Sequence, residues 1–524
     1  MVFKSPWPDV EIPDRPLTAY VFEHGDQRAS TPALVDGQTD RIVTYGTLHR
    51  DIRRFARGLA DRGFRKRDVF AIYCPNVPEY AVAFHGVASA GGASTTINPV
   101  YTPGELRKQL LDSGARFLLT MPPFLRSASD GAKDTAVEEI FVLGGDGATP
   151  YEALLENDGD APDVPISPAE DLVALPYSSG TTGLNKGVML THRNLVANLA
   201  QVENLFRVGP GDVGVGLLPF FHIYALMVIL NLNLRCGTTT VTMPRFDLEQ
   251  FLGILSKHRV TFAHLVPPIV LALAKHPLVD KYDLSSLRWL LSGAAPLGAD
   301  LAEACARRLG CIVVQGYGLT ETSPVTHLNP PDQPNRPGTV GRLAPNTDCK
   351  IVDPATGQPL GPGRNGELWM RGPQVMKGYL NNPGATAAAI DHDGFFHSGD
   401  IGHVDEDGYF RIVDRLKELI KYKGLQVAPA ELEAVLVSHP AVADAAVIPI
   451  PDEEAGEVPK AFVVKRAEVS ETEIMTWVAD RVAPYKKVRA VEILDQIPKS
   501  PSGKILRRVL VERERQKRAE PAAT

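Results

Sequence analysis

Apolar residues recur along the first 340 positions at helical and then at strand spacing, in alternation. Leu48, Ile52, Phe55 and Leu59 share one face of a 3.6-residue repeat, which predicts an amphipathic helix. Residues 69–73 follow as a strand, 105–112 as a helix and 117–120 as a strand. The pattern continues with strand 172–177, helix 195–206, strand 238–243, helix 248–257, strand 262–266, helix 302–309 and strand 312–315. Such alternation predicts parallel strands covered by helices, an α/β fold.

Past about residue 340 the pattern changes. Turn signals crowd together, as in Asp353-Pro354, Gly361-Pro362-Gly363 and Asn381-Asn382-Pro383. Short strands lie between them at 366–371 and 408–413. The last hundred or so residues read as a compact α+β module: helix 429–438, strands 443–449 and 460–465, helix 471–482, strand 489–493. A basic helix over 505–518 closes the chain. The change of character falls near Asp414–Lys417 and divides the chain into units 1–414 and 415–524.

Composition narrows the field. The chain has 524 residues, 44% hydrophobic and 22% charged, enough to bury a large core. A net charge of -7 gives no basic excess to hold nucleic acid or an anionic membrane. Five cysteines, Cys74, Cys236, Cys305, Cys311 and Cys349, are dispersed and odd in number. That argues against a disulfide framework and for a reducing, cytoplasmic setting. The most apolar stretch, 220–234, is broken by His222, Asn231 and Asn233 and is too short to span a bilayer.

Four segments carry candidate chemistry. The first is Tyr177-Ser178-Ser179-Gly180-Thr181-Thr182-Gly183-Leu184-Asn185-Lys186-Gly187. Its glycines turn backbone N–H groups toward one point, its hydroxyls add donors, and Lys186 adds a charge. That set suits a polyphosphate; a solvated Ser/Gly loop is the bland alternative. It is not a Walker loop, because Lys186 precedes a strand-like run rather than a helix. The helix comes later, with Thr191 as its N-cap and Leu195, Leu199, Val202 and Phe206 on one face. The second segment is Gln315-Gly316-Tyr317-Gly318-Leu319-Thr320-Glu321, at the end of an apolar strand, where ligand crevices of open α/β sheets lie. Gly316 and Gly318 leave room beside the backbone for a flat group, Tyr317 offers a stacking face, and Glu321 could hold Mg²⁺. The third is His397-Ser398-Gly399-Asp400 with Asp414-Arg415-Leu416-Lys417, where a carboxylate could accept ribose hydroxyls. The fourth is a Ser/Gly turn, Pro498 to Ile505, presenting Lys504. Singly, the second reads equally well as structural, the third reads better as a surface turn and the fourth better as a solvated loop lysine.

Their joint order resembles the acyl-adenylate-forming superfamily: acyl-CoA synthetases, beetle-type luciferases and peptide-synthetase adenylation domains. The resemblance spans at least 177–508. Residues 415–433 and Pro219-Phe220-Phe221-His222-Ile223-Tyr224 are most similar to 4-coumarate–CoA ligases. The resemblance implies a large N-terminal domain of two α/β lobes plus a β-barrel, and a small mobile α+β C-terminal domain. It implies attack of a carboxylate on the α-phosphate of Mg-ATP, then transfer of the acyl group from AMP to coenzyme A.

Carried over by position, Ser178, Ser179, Gly180, Thr181, Thr182 and Lys186 would hold the β- and γ-phosphates. Gln315, Gly316 and Tyr317 would border the adenine, with Thr320 near the α-phosphate and Glu321 on Mg²⁺. Asp400, assisted by Arg415, would take the ribose. Lys504 would bridge the carboxylate and the α-phosphate, with His222 beside the reacting group and Lys417 near the hinge. Lys421 would approach the adenylate after the C-terminal domain turns. Lys423, Gly424 and Gln426 would then border coenzyme A or the carboxylate. Two departures stand out: Asn185 where most members have proline, and Arg245 where plant coumarate ligases have lysine, a cation for a coenzyme A phosphate.

The acyl pocket is expected to include Tyr224, Gly293, Ala294 and Gly318. His222 stands near where amino-acid-activating relatives have an acidic residue, which argues against an amino-acid substrate. The small residues admit a flat aryl-propenoate or an alkyl chain. A cinnamate-type acid is the expectation; a medium- or long-chain fatty acid, and a non-catalytic adenylate-binding role, are the alternatives.

Overall fold

The computed structural model describes residues 1–178, 185–423, 425–501 and 503–519. Two nine-stranded sheets and two five-stranded sheets organise them. In the first nine-stranded sheet, Val69–Ile72, Ala93–Thr96, Phe117–Thr120 and Glu139–Val142 run parallel. The second orders Ile312–Gly318, Trp289–Ser292, Phe262–Leu265, Val213–Gly216, Thr239–Thr242 and Pro32–Asp36 in parallel register. Helices pack on both, and one apolar core runs through the two lobes. Some of these doubly buried strands are continuous apolar runs, as at Val69–Ile72, while Ala93–Thr96 and Thr239–Thr242 are buried but rich in threonine.

The amphipathic segments fold as their spacing predicts. Tyr45–Asp61 is a helix capped by Thr44, with Leu48, Ile52, Phe55 and Leu59 buried. Leu248–Lys257 and Pro429–Ser438 match their expected bounds. Other elements give no such signal. Helix Glu79–Ser89 buries Tyr80 through Ala88 on every side, so it has no polar stripe. The apolar run from Phe220 forms a buried wide-turned helical stretch, Ala225–Asn231, continuing into Leu232–Cys236. No helix among the described residues is long and apolar enough to cross a membrane.

Two expected strands differ in a way that matters for the site. The strand read over 172–177 breaks after Ala174. Leu172–Ala174 stays in the parallel sheet, while Tyr177–Ser178 turns into an antiparallel hairpin with Lys186–Thr191. Pro176, which has no N–H to offer a ladder, stands at the break. The strand at 312–315 runs on to Gly318, because Gly316, Tyr317 and Gly318 pair with Val325–Leu328.

The third sheet is antiparallel: Phe3–Lys4, Asp348–Val352, Gly366–Arg371, Phe396–Val404 and Phe410–Arg415. The expected barrel is not closed by strand pairing: among the described residues no ladder joins the two edge strands. Phe3 on one edge meets Phe410 on the other edge-on at 6.2 Å. The fourth sheet begins at Ile420. Helices Pro429–Ser438 and Glu471–Ala479 cover one face, and Leu510 of Arg507–Ala519 packs with Ile448 and Phe462 on the other.

Candidate active site

The glycine–threonine segment sits on the hairpin just described. Tyr177 pairs with Gly187 and Ser178 with Lys186 across its base. Ser179, Gly180, Thr181 and Thr182 lie outside the described residues, as does Gly424. At the base, Ser178 Oγ donates to Glu321 Oε1 at 2.8 Å. The Tyr379 hydroxyl donates to the same oxygen at 3.0 Å. Lys186 Nζ stands 4.6 Å from the centre of the Tyr379 ring, a cation–π contact. Burial and then Glu321 push the Tyr379 phenol up, so it remains a donor. Tyr379 escaped the sequence reading. It reaches the site only because Gly378–Tyr379 pairs with Val188 and Met189 of the hairpin.

A second cluster gathers at the end of the Ile312–Gly318 strand. Tyr317 donates its hydroxyl hydrogen to Asp400 Oδ2 at 2.6 Å. Arg415 Nε lies 3.3 Å from Asp400 Oδ1, and the two residues face each other across adjacent strands. Burial pushes the Asp400 carboxyl up, opposed by Arg415 and the Tyr317 hydroxyl. Gln315 is buried and accepts the Leu297 N–H at 3.1 Å, which fixes the wall beside the strand. The two glycines have a different task from the one their sequence context suggests. A Cβ on Gly318 would stand 1.9 Å from the Pro324 carbonyl oxygen, and one on Gly316 3.3 Å from that of His327. They admit the neighbouring strand, not only a ligand. Thr320 begins the short helical turn that carries Glu321 and lines a pocket with His222, Tyr101 and Tyr177.

The C-terminal turn reaches this cluster from outside the large lobes. Ser500 accepts the Lys504 N–H at 3.1 Å, and its own N–H returns to the Lys504 carbonyl. Gly503 has φ +78°, and a Cβ there would meet Val266 Cγ2 at 3.1 Å. The turn therefore rests on the end of the Phe262–Leu265 strand. Burial, then the field of Arg415, lowers the Lys504 ammonium to about 8. Burial, then Lys504, lowers His222 to about 4. The Tyr224 N–H donates to His222 Nδ1 at 3.3 Å, so the neutral ring carries its hydrogen on Nε2. Tyr224 is buried, and its ring fills the space beside Gly293: a Cβ there would lie 3.0 Å from it. Ala294 sits at φ +66° in the same wall.

Not every expected residue is drawn in. Lys421, Lys423 and Gln426 are exposed on the hairpin of Ile420–Tyr422 and Leu425–Val427. Lys421 is paired with Gln426, and Lys423 Nζ lies 2.5 Å from Glu454. Among the described residues, no contact joins this hairpin to Asp400 or His222. Arg245 is exposed just before helix Leu248–Lys257, and Lys417 is exposed between the third and fourth sheets. Sequence reading also missed an ion cluster. Arg507 binds Glu433 at 2.7 and 2.8 Å and Glu418 at 2.6 Å. Arg507 lies three positions beyond Lys504, so the cluster anchors the helix that follows the lysine's turn. Its only sequence signal was that closeness.

A carboxylate paired with a guanidinium, a half-buried tyrosine, a partly desolvated lysine and the base of the Tyr177–Lys186 hairpin gather here. Such a set has the donors, acceptors and charge that a nucleotide phosphate and ribose require. Comparisons with known proteins agree. The AMP-binding enzyme family matches residues 21–380, and its C-terminal domain matches 431–504. The chain is 46% identical over 527 residues to 4-coumarate–CoA ligase 1 of Solanum tuberosum, covering 97% of this chain and 96% of that one. It is 46% identical over 522 residues to the 4-coumarate–CoA ligase of Pinus taeda, covering 97% of each. The crystal structure of an anthranilate–CoA ligase in complex with anthranoyl-AMP superposes with a TM-score of 0.90 at 25% identity, covering 97% of this chain and 99% of that one. ATP-bound MatB of Rhodopseudomonas palustris gives 0.88 at 31% identity, covering 96% and 99%, and the same protein without ligand gives 0.77. The chain belongs to the AMP-binding enzymes. Within them it is an acid–thiol ligase, making an acyl-CoA through an acyl-AMP.

Proposed function

We propose that the acid is a cinnamate-type aryl-propenoate such as 4-coumarate, and that the residues gathered here perform the first half-reaction. The observation that carries the first half-reaction is the meeting of Lys504 with Asp400, Arg415 and His222 in one place. An acid oxygen attacks the α-phosphorus, and the bond to the pyrophosphate oxygen breaks. Both reactants are anions, so their approach is opposed by charge. Lys504, protonated below about pH 8, offsets that charge between carboxylate and α-phosphate. His222 Nε2–H donates to an oxygen of the reacting group without bringing a second cation. Asp400 and Arg415 fix the ribose, and Tyr317 fixes Asp400. The thiol of coenzyme A then attacks the acyl carbon, and AMP leaves.

Magnesium fits this site. Glu321 is a buried oxygen donor whose Oε1 is pinned by two hydroxyls, and a triphosphate supplies the other oxygens Mg²⁺ prefers. Bound there, it would neutralise phosphate charge. Ser178 and Lys186 would hold the β- and γ-phosphates from the hairpin.

The boundary we infer lies at Asp414–Lys417, between units 1–414 and 415–524, with Lys417 at the turning point. The better agreement with the ATP-bound relative supports reading the present arrangement as the adenylating one. Lys421, Lys423 and Gln426, exposed here, would face coenzyme A after rotation, with Arg245 on a coenzyme A phosphate. Dispersed cysteines support a reducing, cytoplasmic setting. The flat wall of Gly293, Ala294 and Tyr224 and the identity to coumarate ligases support the aryl acid. Coumaroyl-CoA and octanoyl-CoA formation, assayed side by side, tests the choice; a strong octanoate preference overturns it.

A further inference from the structure

We infer that Tyr101 is a ligand of the ATP phosphates, held in donor orientation by Asn185. This rests on the ligase reading above and extends the phosphate site to a residue outside the hairpin. Asn185 closes the glycine–threonine segment immediately before Lys186. Its Nδ2 donates to the Tyr101 hydroxyl oxygen at 2.9 Å. An amide nitrogen can only donate, so the phenol oxygen accepts and its own hydrogen points elsewhere.

Three observations say where. Tyr101 lines the pocket that also contains Tyr177, Thr320 and His222. Tyr177 begins the segment that Asn185 ends, so the phenol stands between the two ends of the same loop. The pocket is walled in part by neutral hydrogen-bonding groups, Thr96, Asn98 and Gln109 among them. Among the described residues no carboxylate lines it, and the nearest charge acting on the phenol is that of Glu105 outside its wall. The residue is also held at its other end: the buried Tyr73 donates its hydroxyl hydrogen to the Tyr101 carbonyl at 3.0 Å. Burial raises the Tyr101 phenol, which keeps its hydrogen on at neutral pH. A rigid, protonated phenol beside a phosphate loop is a donor for phosphate oxygen.

Calorimetric titration of the full chain with ATP and magnesium chloride, and separately with adenosine, tests this. Tyr101→Phe should weaken ATP about tenfold, the loss expected for one hydrogen bond to a charged group, and leave adenosine affinity unchanged. Asn185→Ala, at an exposed position, should weaken ATP about threefold or more, and the double variant should be no worse than Tyr101→Phe alone. Unchanged ATP affinity in Tyr101→Phe overturns the inference, as does an equal loss for adenosine or additive losses in the double variant. Acid-dependent pyrophosphate exchange by the wild type, run in parallel, separates the two readings. Its absence overturns the ligase reading, while the contrast between ATP and adenosine still decides the role of Tyr101.

Discussion

Raising the pH should switch off adenylation through one group, Lys504. The reacting form is the ammonium, because only a cation offsets the charge between two anions. Burial and Arg415 lower it to about 8, so most of the enzyme carries the cation at pH 7. One unit above that value only about a tenth does, and each further unit removes about another factor of ten. The free-enzyme value governs kcat/KM, so kcat/KM for acid-dependent pyrophosphate exchange should fall about tenfold from pH 8 to pH 9–9.5 and steepen beyond. His222, at about 4, stays neutral across this range and adds no limb of its own. Exchange needs no coenzyme A, so thiol ionisation does not intrude. Lys504→Arg, whose guanidinium stays charged, should lose the alkaline limb whatever its residual rate. Lys504→Ala should slow adenylation by about 10² or more while sparing thioester formation from supplied acyl-AMP. The same limb near pH 8 in Lys504→Arg, or an equal loss of both half-reactions in Lys504→Ala, would refute the reasoning.

Three further outcomes follow from the geometry. Glu321→Gln keeps the two hydroxyl contacts nearly isosteric but removes the charge; exchange should fall about 10²-fold and need more magnesium, read from a magnesium titration. Gly503→Ala forces a side chain into φ +78°, at a cost of about 1–2 kcal/mol to the turn in any arrangement, and toward Val266 in this one; adenylation should drop about tenfold, with the melting temperature lowered by a few degrees. Arg507→Met leaves Glu433 and Glu418 without their cation, and loss of one partner of a buried pair costs about 3–5 kcal/mol, visible as an earlier denaturant transition.

The parts of this molecule that were legible in sequence are those with a one-sided environment. Tyr45–Asp61 has a wet face and a dry face, so its period shows; Glu79–Ser89 is dry all round, so its period vanishes. The nucleotide segments were legible because each carries a local chemistry: hydroxyls and glycines at 177–187, a carboxylate at Asp400, a lysine in a Ser/Gly turn. What single segments could not show was their meeting. Tyr379 and Tyr101 were silent because their roles depend on cross-strand pairing and on a loop about 80 positions away. Gly318 misled in part, because a glycine beside a ligand crevice and a glycine beside a crossing strand look alike until the Pro324 carbonyl is located.

Placement of Lys504 explains why one site can serve two reactions. The lysine is not built into the lobes that hold the nucleotide. It arrives on a turn that touches them at Val266, through a glycine with no side chain to bury, while the helix behind it is tied within its own unit by Arg507, Glu433 and Glu418. The ion pairs of Arg507 lie inside the small unit; near the boundary it is held to the large one by the Ala430 N–H, which donates to Asp414 Oδ2 at 2.9 Å, and by Leu419 and Ala428 packed on Ile401, and farther out more loosely. Lys275 reaches the Val437 carbonyl only at 3.3 Å, and Gly298 approaches Ala434 only to 3.8 Å from a Cβ position. A unit that is rigid within and turns at Lys417 can withdraw Lys504 as one body once acyl-AMP has formed, leaving on the adenylate Asp400 and Arg415, which precedes the turning point. Cross-linking a cysteine pair placed at Gly298 and Ala434 should preserve exchange and abolish acyl-CoA release; release at the uncrosslinked rate would show that no such withdrawal is needed.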